Sequence, residues 1–169
     1  DVPLIGITGT NGKTTTSFLV EGALRAVHAR VGLLGTVEMR IGDESAPAAR
    51  TTTEAPMLQG LLARMREAGV TAAVAEASSQ AIALERVTGT RFAVVLFTNL
   101  SHEHLDFHHT MEEYFEEKAR IFTPEFADRA VVLVDDEWGE RLVHEVTVPV
   151  ETVATRPGSP RADWNAVEA

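Results

Sequence analysis

The hydrophobic and polar positions of this 169-residue chain predict short buried strands that alternate with amphipathic helices. Apolar runs of four to six residues are typical of buried strands, and they occupy 4–8, 31–36, 72–75, 93–97 and 130–134. Apolar residues recur at helical spacing in segments 14–29, 56–68, 111–122 and 138–143. We expect residues 37–41 to form a hairpin with the second strand and residues 42–50 to be a loop. The alternation predicts an α/β fold in which helices cover both faces of a mostly parallel sheet.

Three polar residues lie at or just beyond the ends of predicted strands. Thr8 ends the first apolar run, Glu76 directly follows the third, and Asn99 lies two residues after the fourth. In open α/β sheets, ligands bind beyond the carboxyl ends of the parallel strands. We therefore expect these three residues to border one ligand site.

The composition narrows the class of partner. Fifteen Lys and Arg residues against 25 Asp and Glu residues give a formal net charge of -10, which argues against binding of nucleic acid or of an anionic membrane. No apolar stretch reaches the ~20 residues of a membrane span. The chain contains no cysteine, which excludes disulfides, thiolate metal sites and thiol nucleophiles. Because the first residues also lack the basic region of a secretory signal, we expect a cytoplasmic protein.

The segment between the first strand and the first helix has the composition of a phosphate-binding loop. It reads Gly9-Thr10-Asn11-Gly12-Lys13-Thr14. Glycines let the backbone turn so that its N–H groups face a phosphate chain, and the helix N-terminus adds partial positive charge. We expect Lys13 to neutralise the β and γ phosphates and the Thr14 hydroxyl to bind Mg²⁺. Ile7 stands where the usual spacing has its first glycine, so the motif predicts a variant loop in a three-layer domain like those of P-loop NTPases.

Two groups of side chains are candidate metal ligands. Glu76, at the end of a buried strand, is suited to complete a magnesium shell beside the loop threonine, since hard cations prefer oxygen ligands. Four histidines lie between positions 102 and 109. The alternating His102, His104 and Asp106 also fit a zinc site of the metallohydrolase kind, which we keep as an alternative.

The helix predicted over 111–122 has an apolar stripe of Phe115, Ala119 and Phe122. Lys118 lies at the edge of that stripe. From the residues alone, Lys118 is therefore expected at the protein surface.

Taken together, five motifs resemble the central ATP-binding domain of the Mur ligases. They are, in chain order, Gly9–Thr15, Thr51-Thr52-Thr53-Glu54-Ala55, Glu76-Ala77-Ser78-Ser79, Thr98–Ser101 followed by His104-Leu105-Asp106, and Tyr114 with Lys118. The resemblance is strongest to the MurE type, which adds the third amino acid to UDP-N-acetylmuramoyl-L-alanyl-D-glutamate in peptidoglycan synthesis. It covers the domain predicted at 1–155, and residues 156–169 are expected to be a linker or the start of an incomplete further segment. Folylpolyglutamate and cyanophycin synthetases share the loop variant, so a synthetase of that kind remains an alternative.

The resemblance implies an ATP-dependent ligation through an acyl phosphate. It implies that Thr14 and Glu76 hold one Mg²⁺, and that Glu76 and His104 hold a second. It further implies that Lys118 reacts with CO₂ to form a carbamate that supports the second metal, and that Lys13, Glu76, His104 and Lys118 are the catalytic residues. The implied ATP-binding residues are Gly9, Thr10, Asn11, Gly12, Lys13, Thr14, Thr15 and Asn99. The implied contacts to the UDP-muramoyl peptide are Thr51, Thr52, Ser78 and Arg86.

The sequence departs from the family pattern at four positions. Thr53 replaces a proline, Gln80 a histidine, His102 an arginine and Glu103 an aspartate. Gln80 cannot titrate, so no catalytic role is expected for it. The implied partners are the UDP-muramoyl dipeptide, an incoming amino acid (diaminopimelate or lysine) and the N- and C-terminal domains of such an enzyme. We expect a central domain alone to bind nucleotide weakly and to ligate little or nothing.

Overall fold

A computed structural model describes residues 2–27, 30–48, 50–156, 159 and 162–166. Within these residues nine strands form one sheet, and they are β1 (Leu4–Thr8), β2 (Val31–Leu34), β3 (Glu38–Ile41), β4 (Glu44–Pro47), β5 (Ala72–Glu76), β6 (Val94–Phe97), β7 (Ala130–Leu133), β8 (Val150–Ala154) and β9 (Trp164–Asn165). Their order across the sheet is β4-β3-β2-β5-β1-β6-β7-β8-β9. The β2–β3 and β3–β4 pairings are antiparallel, and every other pairing is parallel.

The helices of the described residues are α1 (Lys13–Arg25), α2 (Ala55–Glu67), α3 (Ser79–Ala83), α4 (Leu105–His108), α5 (Met111–Ala119) and α6 (Glu137–Glu145). A small cluster of Ile7, Leu33 and Val74 packs against Phe18 and Leu24 of α1. A larger cluster unites the sheet with buried side chains of α2, α5 and α6. The predicted α/β fold, with a mostly parallel sheet and helices packed against it, is confirmed.

The register of the central strands determines where the functional motifs meet. β1 pairs with β5 on one side and with β6 on the other, so that Ile7 lies opposite Glu76 and Thr8 opposite Phe97. Parallel strands end at the same edge of a sheet, and α1 begins five residues after β1 ends. The predicted ligand site is therefore gathered at the carboxyl edge of the three central strands.

Several elements differ from the prediction made from the sequence. Residues 44–47 form an edge strand instead of a loop; all four are exposed, so they give no hydrophobic signal. The strand at 150–154 was not predicted because only its last residue is buried. Helices α3 and α4, of five and four residues, are too short to show periodicity.

Helix α1 ends at Arg25, and residues 28 and 29, to which its prediction extended, lie outside the described residues. Of the segment 156–169, residues 157, 158, 160, 161 and 167–169 also lie outside them, while β9 pairs with β8. The domain boundary at 155 stays a prediction. No helix in the described part of the chain has the length and apolarity that crossing a membrane requires.

Candidate active site

The glycine loop, residues 9–14, connects β1 to α1 at the carboxyl edge of the sheet. Gly9 has φ 143°, and a Cβ at this position would lie 1.9 Å from the Thr98 hydroxyl oxygen, so both the backbone and the available space require glycine. Gly12 adopts φ 84° as the N-cap of α1, and no side chain caps that helix. The start of α1 therefore combines a tight turn with the partial positive charge that favours a bound anion.

Side chains beyond β6 hold this loop in place. The Asn99 carboxamide accepts from Asn11 N at 3.0 Å and donates to Asn11 O at 3.0 Å. The Thr98 hydroxyl donates to the same carbonyl at 2.7 Å, and Thr10 N donates to Asn99 O at 2.9 Å. Asn99 was predicted to help place a nucleotide; in the structure it bonds the backbone of the loop.

Lys13 lies over the glycine loop. Its Nζ donates to Gly9 O at 2.9 Å and to Thr10 O at 2.8 Å. Burial lowers the pKa of Lys13, while the carboxylates of Glu76 and Glu103 oppose that shift. The ammonium group is therefore positioned at the loop by backbone carbonyls, within the field of two carboxylates. Thr15, also predicted to contact nucleotide, is exposed in the first turn of α1.

Glu76 is the most extensively hydrogen-bonded carboxylate at this edge. It is 1% exposed and accepts from the hydroxyls of Thr14 at 3.2 Å, Ser17 at 3.3 Å and Thr36 at 2.8 Å. The backbone N–H of Thr36 adds a fourth donor at 3.0 Å. The structure thus brings together Glu76 and Thr14, the two predicted ligands of the first magnesium.

Sequence reasoning missed Ser17 and Thr36. Thr36 lies two residues beyond β2, at the same sheet edge as Thr8 and Glu76. That position was a usable signal, because β2 and β5 are neighbouring parallel strands. Ser17 lies one helical turn after Thr14, with which it shares the Glu76 carboxylate.

Lys118 is buried, which corrects the surface position predicted from the apolar stripe. It is 1% exposed, and its Nζ donates to Gly9 O at 3.0 Å and contacts the Thr8 hydroxyl at 3.5 Å. The ammonium also lies 4.6 Å from the ring centroid of Tyr114. The buried face of α5 consists of Tyr114, Phe115 and Lys118, and it packs beneath the glycine loop. Burial, with a further contribution from Lys13, holds the pKa of Lys118 well below its usual value.

His104 precedes α4 in a left-handed conformation with φ 58°. Its Nδ1 lies 3.2 Å from the Gln80 side-chain nitrogen, and its ring lies 6.0 Å from the Tyr114 ring. His104 and Lys118 therefore border the same aromatic side chain. His102 and Asp106 are exposed, and no group of three His, Cys, Asp or Glu residues in the described chain is arranged to hold a metal ion. This finding argues against the zinc site of the metallohydrolase alternative.

Three of the four predicted substrate contacts, Thr51, Thr52 and Ser78, lie next to the Glu76 segment, and Arg86 lies beside Thr52. The Thr52 hydroxyl donates to Glu76 O at 2.8 Å and accepts from Ser78 N at 3.2 Å. Thr51 bonds Thr36 at 3.1 Å, and Arg86 forms an ion pair with Glu54 at 2.9 Å. A cavity of about 140 Å³, mostly apolar in its lining, lies beneath this segment and is bordered by Thr51, Thr52 and Glu76.

Comparisons with known proteins identify relatives of this chain. A family model described as the Mur ligase middle domain matches residues 7–167. The UDP-N-acetylmuramoyl-L-alanyl-D-glutamate--2,6-diaminopimelate ligase of Streptomyces avermitilis is 54% identical over 166 residues, covering 98% of this chain and 32% of that protein. The protein of the same name from Streptomyces coelicolor is 55% identical over 168 residues, covering 99% of this chain and 33% of that protein. The chain thus spans about a third of the length of these relatives.

Solved structures agree in fold. A structure described as a UDP-N-acetylmuramoyl-L-alanyl-D-glutamate--2,6-diaminopimelate ligase has a TM-score of 0.85 at 30% identity and covers 97% of this chain and 34% of that one. Mycobacterium tuberculosis folylpolyglutamate synthase, complexed with ADP and AMPPCP, has a TM-score of 0.60 at 19% identity, covers 92% of this chain and 45% of that one, and shows a shared fold. Since the family model matches nearly the whole chain, the chain belongs to the Mur ligase family, in which it corresponds to the middle domain.

Proposed function

We propose that this chain is the ATP-binding part of a ligase that joins 2,6-diaminopimelate to UDP-N-acetylmuramoyl-L-alanyl-D-glutamate in the synthesis of peptidoglycan precursors. The names of the relatives at 54% and 55% identity support this substrate pair. We further propose that the parts of such a ligase beyond this chain, its N- and C-terminal domains, hold the uridine end and the incoming amino acid. The lack of cysteine and the use of ATP support a location in the bacterial cytoplasm.

One observation carries the proposal: the buried Glu76 carboxylate accepts from Thr14, at the junction of the glycine loop and α1. In the proposed reaction a substrate carboxylate attacks the γ-phosphorus of ATP, giving an acyl phosphate and ADP. The amine of diaminopimelate then attacks the acyl carbon, loses a proton and displaces phosphate, which leaves an amide. Protein groups contribute mainly positioning and charge neutralisation to such a transfer.

Each part of the glycine loop has a task in this scheme. Backbone N–H groups of residues 9–15 and the start of α1 bind the phosphate chain. Lys13 turns from the carbonyls of Gly9 and Thr10 toward the β and γ oxygens. Asn99 keeps the loop in shape through its paired bonds with Asn11.

The donors beside the loop suit magnesium. Hydroxyl and carboxylate oxygens are hard ligands, and those of Thr14 and Glu76 lie 3.2 Å apart. We assign one Mg²⁺ to this pair and a second to Glu76 and His104, with the carbamate of Lys118 as its support. When bound, Mg²⁺ neutralises charge on the transferred phosphoryl group.

The surroundings of Lys118 support its modification by CO₂. Only a neutral amine attacks CO₂, and burial lowers the pKa of Lys118 toward that form. A bond forms between Nζ and the carbon of CO₂, and one proton leaves for solvent, so that the product is a carbamate anion. A cation close to Lys13 thereby becomes an anion that attracts both Lys13 and a metal ion.

The polar segment beside Glu76 is proposed to bind the muramoyl peptide. Thr51, Thr52 and Ser78 offer hydroxyl groups there. Arg86 already pairs with the Glu54 carboxylate at 2.9 Å, so a substrate carboxylate or phosphate would compete with Glu54 for the same guanidinium.

Titration with ATP and Mg²⁺, followed by NMR chemical shifts so that weak binding is detected, tests the proposal. We expect binding that needs Mg²⁺ and that Lys13→Ala weakens at least tenfold. Arg91→Ala is the matched control, because this exposed arginine pairs with Asp128 away from the loop. Equal affinity of the wild type and Lys13→Ala would refute the proposed nucleotide site. In the ligase that contains this chain, phosphate release that requires UDP-N-acetylmuramoyl-L-alanyl-D-glutamate and is faster with diaminopimelate than with lysine tests the substrate pair.

A further inference from the structure

A chain of buried polar side chains lies behind the glycine loop and has no role in the chemistry above. His108 Nε2 lies 2.8 Å from the Ser79 hydroxyl, and the imidazole of His108 packs against the ring of Tyr114. The Tyr114 hydroxyl in turn lies 3.1 Å from the Thr10 hydroxyl. All four residues are at most 5% exposed. We refer to His108, Ser79, Tyr114 and Thr10 as the buried chain.

The buried chain connects four separate parts of the candidate site. Thr10 belongs to the glycine loop, and Ser79 begins α3, three residues after Glu76. His108 ends α4, which starts immediately after His104. Tyr114 lies one turn before Lys118 on α5. Movement of any of these four side chains would therefore shift segments that carry proposed ligands of the nucleotide and the metal.

The ring of Tyr114 extends this connection to Lys118. The imidazole of His108 stacks on that ring, with centroids 4.9 Å apart and planes at 25°. The Lys118 ammonium lies 4.6 Å from the same ring centroid. One aromatic side chain thus contacts Lys118 through its ring and the loop through its hydroxyl.

The buried chain needs no charge. Burial, aided by the charge of Lys118, holds the pKa of His108 below its usual value, which favours a neutral imidazole. A neutral imidazole can pair with the Ser79 hydroxyl and the Tyr114 phenol with the Thr10 hydroxyl, and no buried side-chain polar atom in the described residues lacks a partner. Fully satisfied networks of this kind make their surroundings rigid.

We infer that His108 and Ser79 are positioning residues of the nucleotide site, which act through Tyr114 to fix the glycine loop at Thr10 and the Lys118 side chain. The inference rests on the proposed function, since it concerns the binding of ATP with Mg²⁺. Neither His108 nor Ser79 contacts the phosphates in this scheme. Their effect is to keep the loop in the conformation that binds them.

The test compares the affinity of the whole chain for ATP with Mg²⁺ among variants of the buried chain. Tyr114→Phe, which keeps the ring, and Ser79→Ala are each expected to weaken binding about tenfold. The double variant should bind no more weakly than the weaker single variant, because both substitutions break one network. His108→Gln, which retains a hydrogen-bonding group, should restore most of the affinity that His108→Leu loses.

Thr90→Val is the control, because it removes an equally buried hydroxyl that bonds Gln59 instead of the loop. It should lower the free energy of unfolding and leave the ATP affinity unchanged. If variants of the buried chain bind ATP as tightly as the wild type and differ only in their free energy of unfolding, this inference is overturned and the proposed function is not. A wild-type chain that binds no ATP would overturn the proposed function and this inference together.

Discussion

Two buried charged side chains, Glu76 and Lys118, border the glycine loop and have contrasting surroundings. Glu76 accepts hydrogen bonds from four donors, all within 3.3 Å. Lys118 has one carbonyl at 3.0 Å, one hydroxyl at 3.5 Å and an aromatic ring. None of the ion pairs formed by the described residues includes Lys118.

The two buried side chains therefore differ in how well their surroundings stabilise a charge. The four donors around Glu76 hold its carboxylate oxygens in fixed orientations. Those of Lys118 penalise an ammonium, because burial is not offset by a carboxylate partner. Glu76 is therefore preorganised as a hydrogen-bond acceptor, whereas burial of Lys118 lowers its pKa and favours the neutral amine.

The largest expected effect on the free energy of unfolding comes from replacing Glu76. Glu76→Ala removes the acceptor of the buried Ser17 hydroxyl and of the partly buried hydrogen bonds from Thr14 and Thr36, and it should lower the free energy of unfolding by about 2 to 3 kcal/mol. Urea unfolding at pH 7 measures this. Glu76→Gln keeps the shape and one acceptor oxygen, and should lose about half as much. A loss below about 1 kcal/mol for Glu76→Ala would contradict the idea that the four hydrogen bonds form a preorganised site.

Replacement of Lys118 should raise the free energy of unfolding instead of lowering it. Lys118→Met fills the same volume without a charge, and Gly9 O keeps its bond from Lys13. Replacement of a poorly paired buried charge by an apolar side chain is neutral or stabilising, so the free energy of unfolding should rise by about 1 kcal/mol. The measurement requires buffer depleted of CO₂, since a carbamate would change the comparison. Destabilisation comparable to that of Glu76→Ala would mean that the ammonium is held as firmly as the carboxylate.

The pH dependence of the free energy of unfolding distinguishes the effect of the Lys118 charge from the effect of its packing. Its pKa is lowered on folding, so between the folded and unfolded values the unfolded state binds more protons, and the free energy of unfolding rises with pH. The stability of the wild type should therefore approach that of Lys118→Met as pH increases from 7 toward 10, with a slope of at most about 1.4 kcal/mol per pH unit. Lys13, whose pKa is also lowered, remains in both proteins, so its titration contributes to both profiles. Parallel pH profiles of the two proteins would exclude a folding-linked pKa shift of Lys118.

The contrast between these side chains also shows what the sequence could predict. The position of Glu76 at the sheet edge was predicted because it ends an apolar strand, and the ends of neighbouring parallel strands share one edge. Lys118 was wrongly predicted at the surface because helical periodicity identifies an apolar stripe and not a buried polar contact. Its acceptor, Gly9 O, is 109 residues away in the sequence and becomes visible only after folding.

A similar limit applies to the fold. The parallel strands β1, β2, β5, β6 and β7 were predicted because most of their residues are buried, whereas β4 was missed because its four residues are all exposed. The donors to Glu76 from Ser17 and Thr36 are small polar side chains that occur in many surface positions. Their hydrogen bonds to the carboxylate depend on how α1 and the segment after β2 pack beside β5.

The smallest expected effect on stability concerns Arg86, which lies beside Thr52 and pairs with Glu54. Its ion pair with Glu54 involves a carboxylate whose side chain is 56% exposed, so Arg86→Ala should change the free energy of unfolding by only about 0.5 kcal/mol. Arg50→Ala is a matched control, because Arg50 contacts the same carboxylate but not Thr52. If Arg86 binds the muramoyl peptide, its loss should raise the KM for that substrate at least tenfold in the ligase containing this chain, while Arg50→Ala leaves KM unchanged. Equal KM values for the two variants would limit Arg86 to its pair with Glu54, and would show that a charge is not functional merely because it lies beside Thr52.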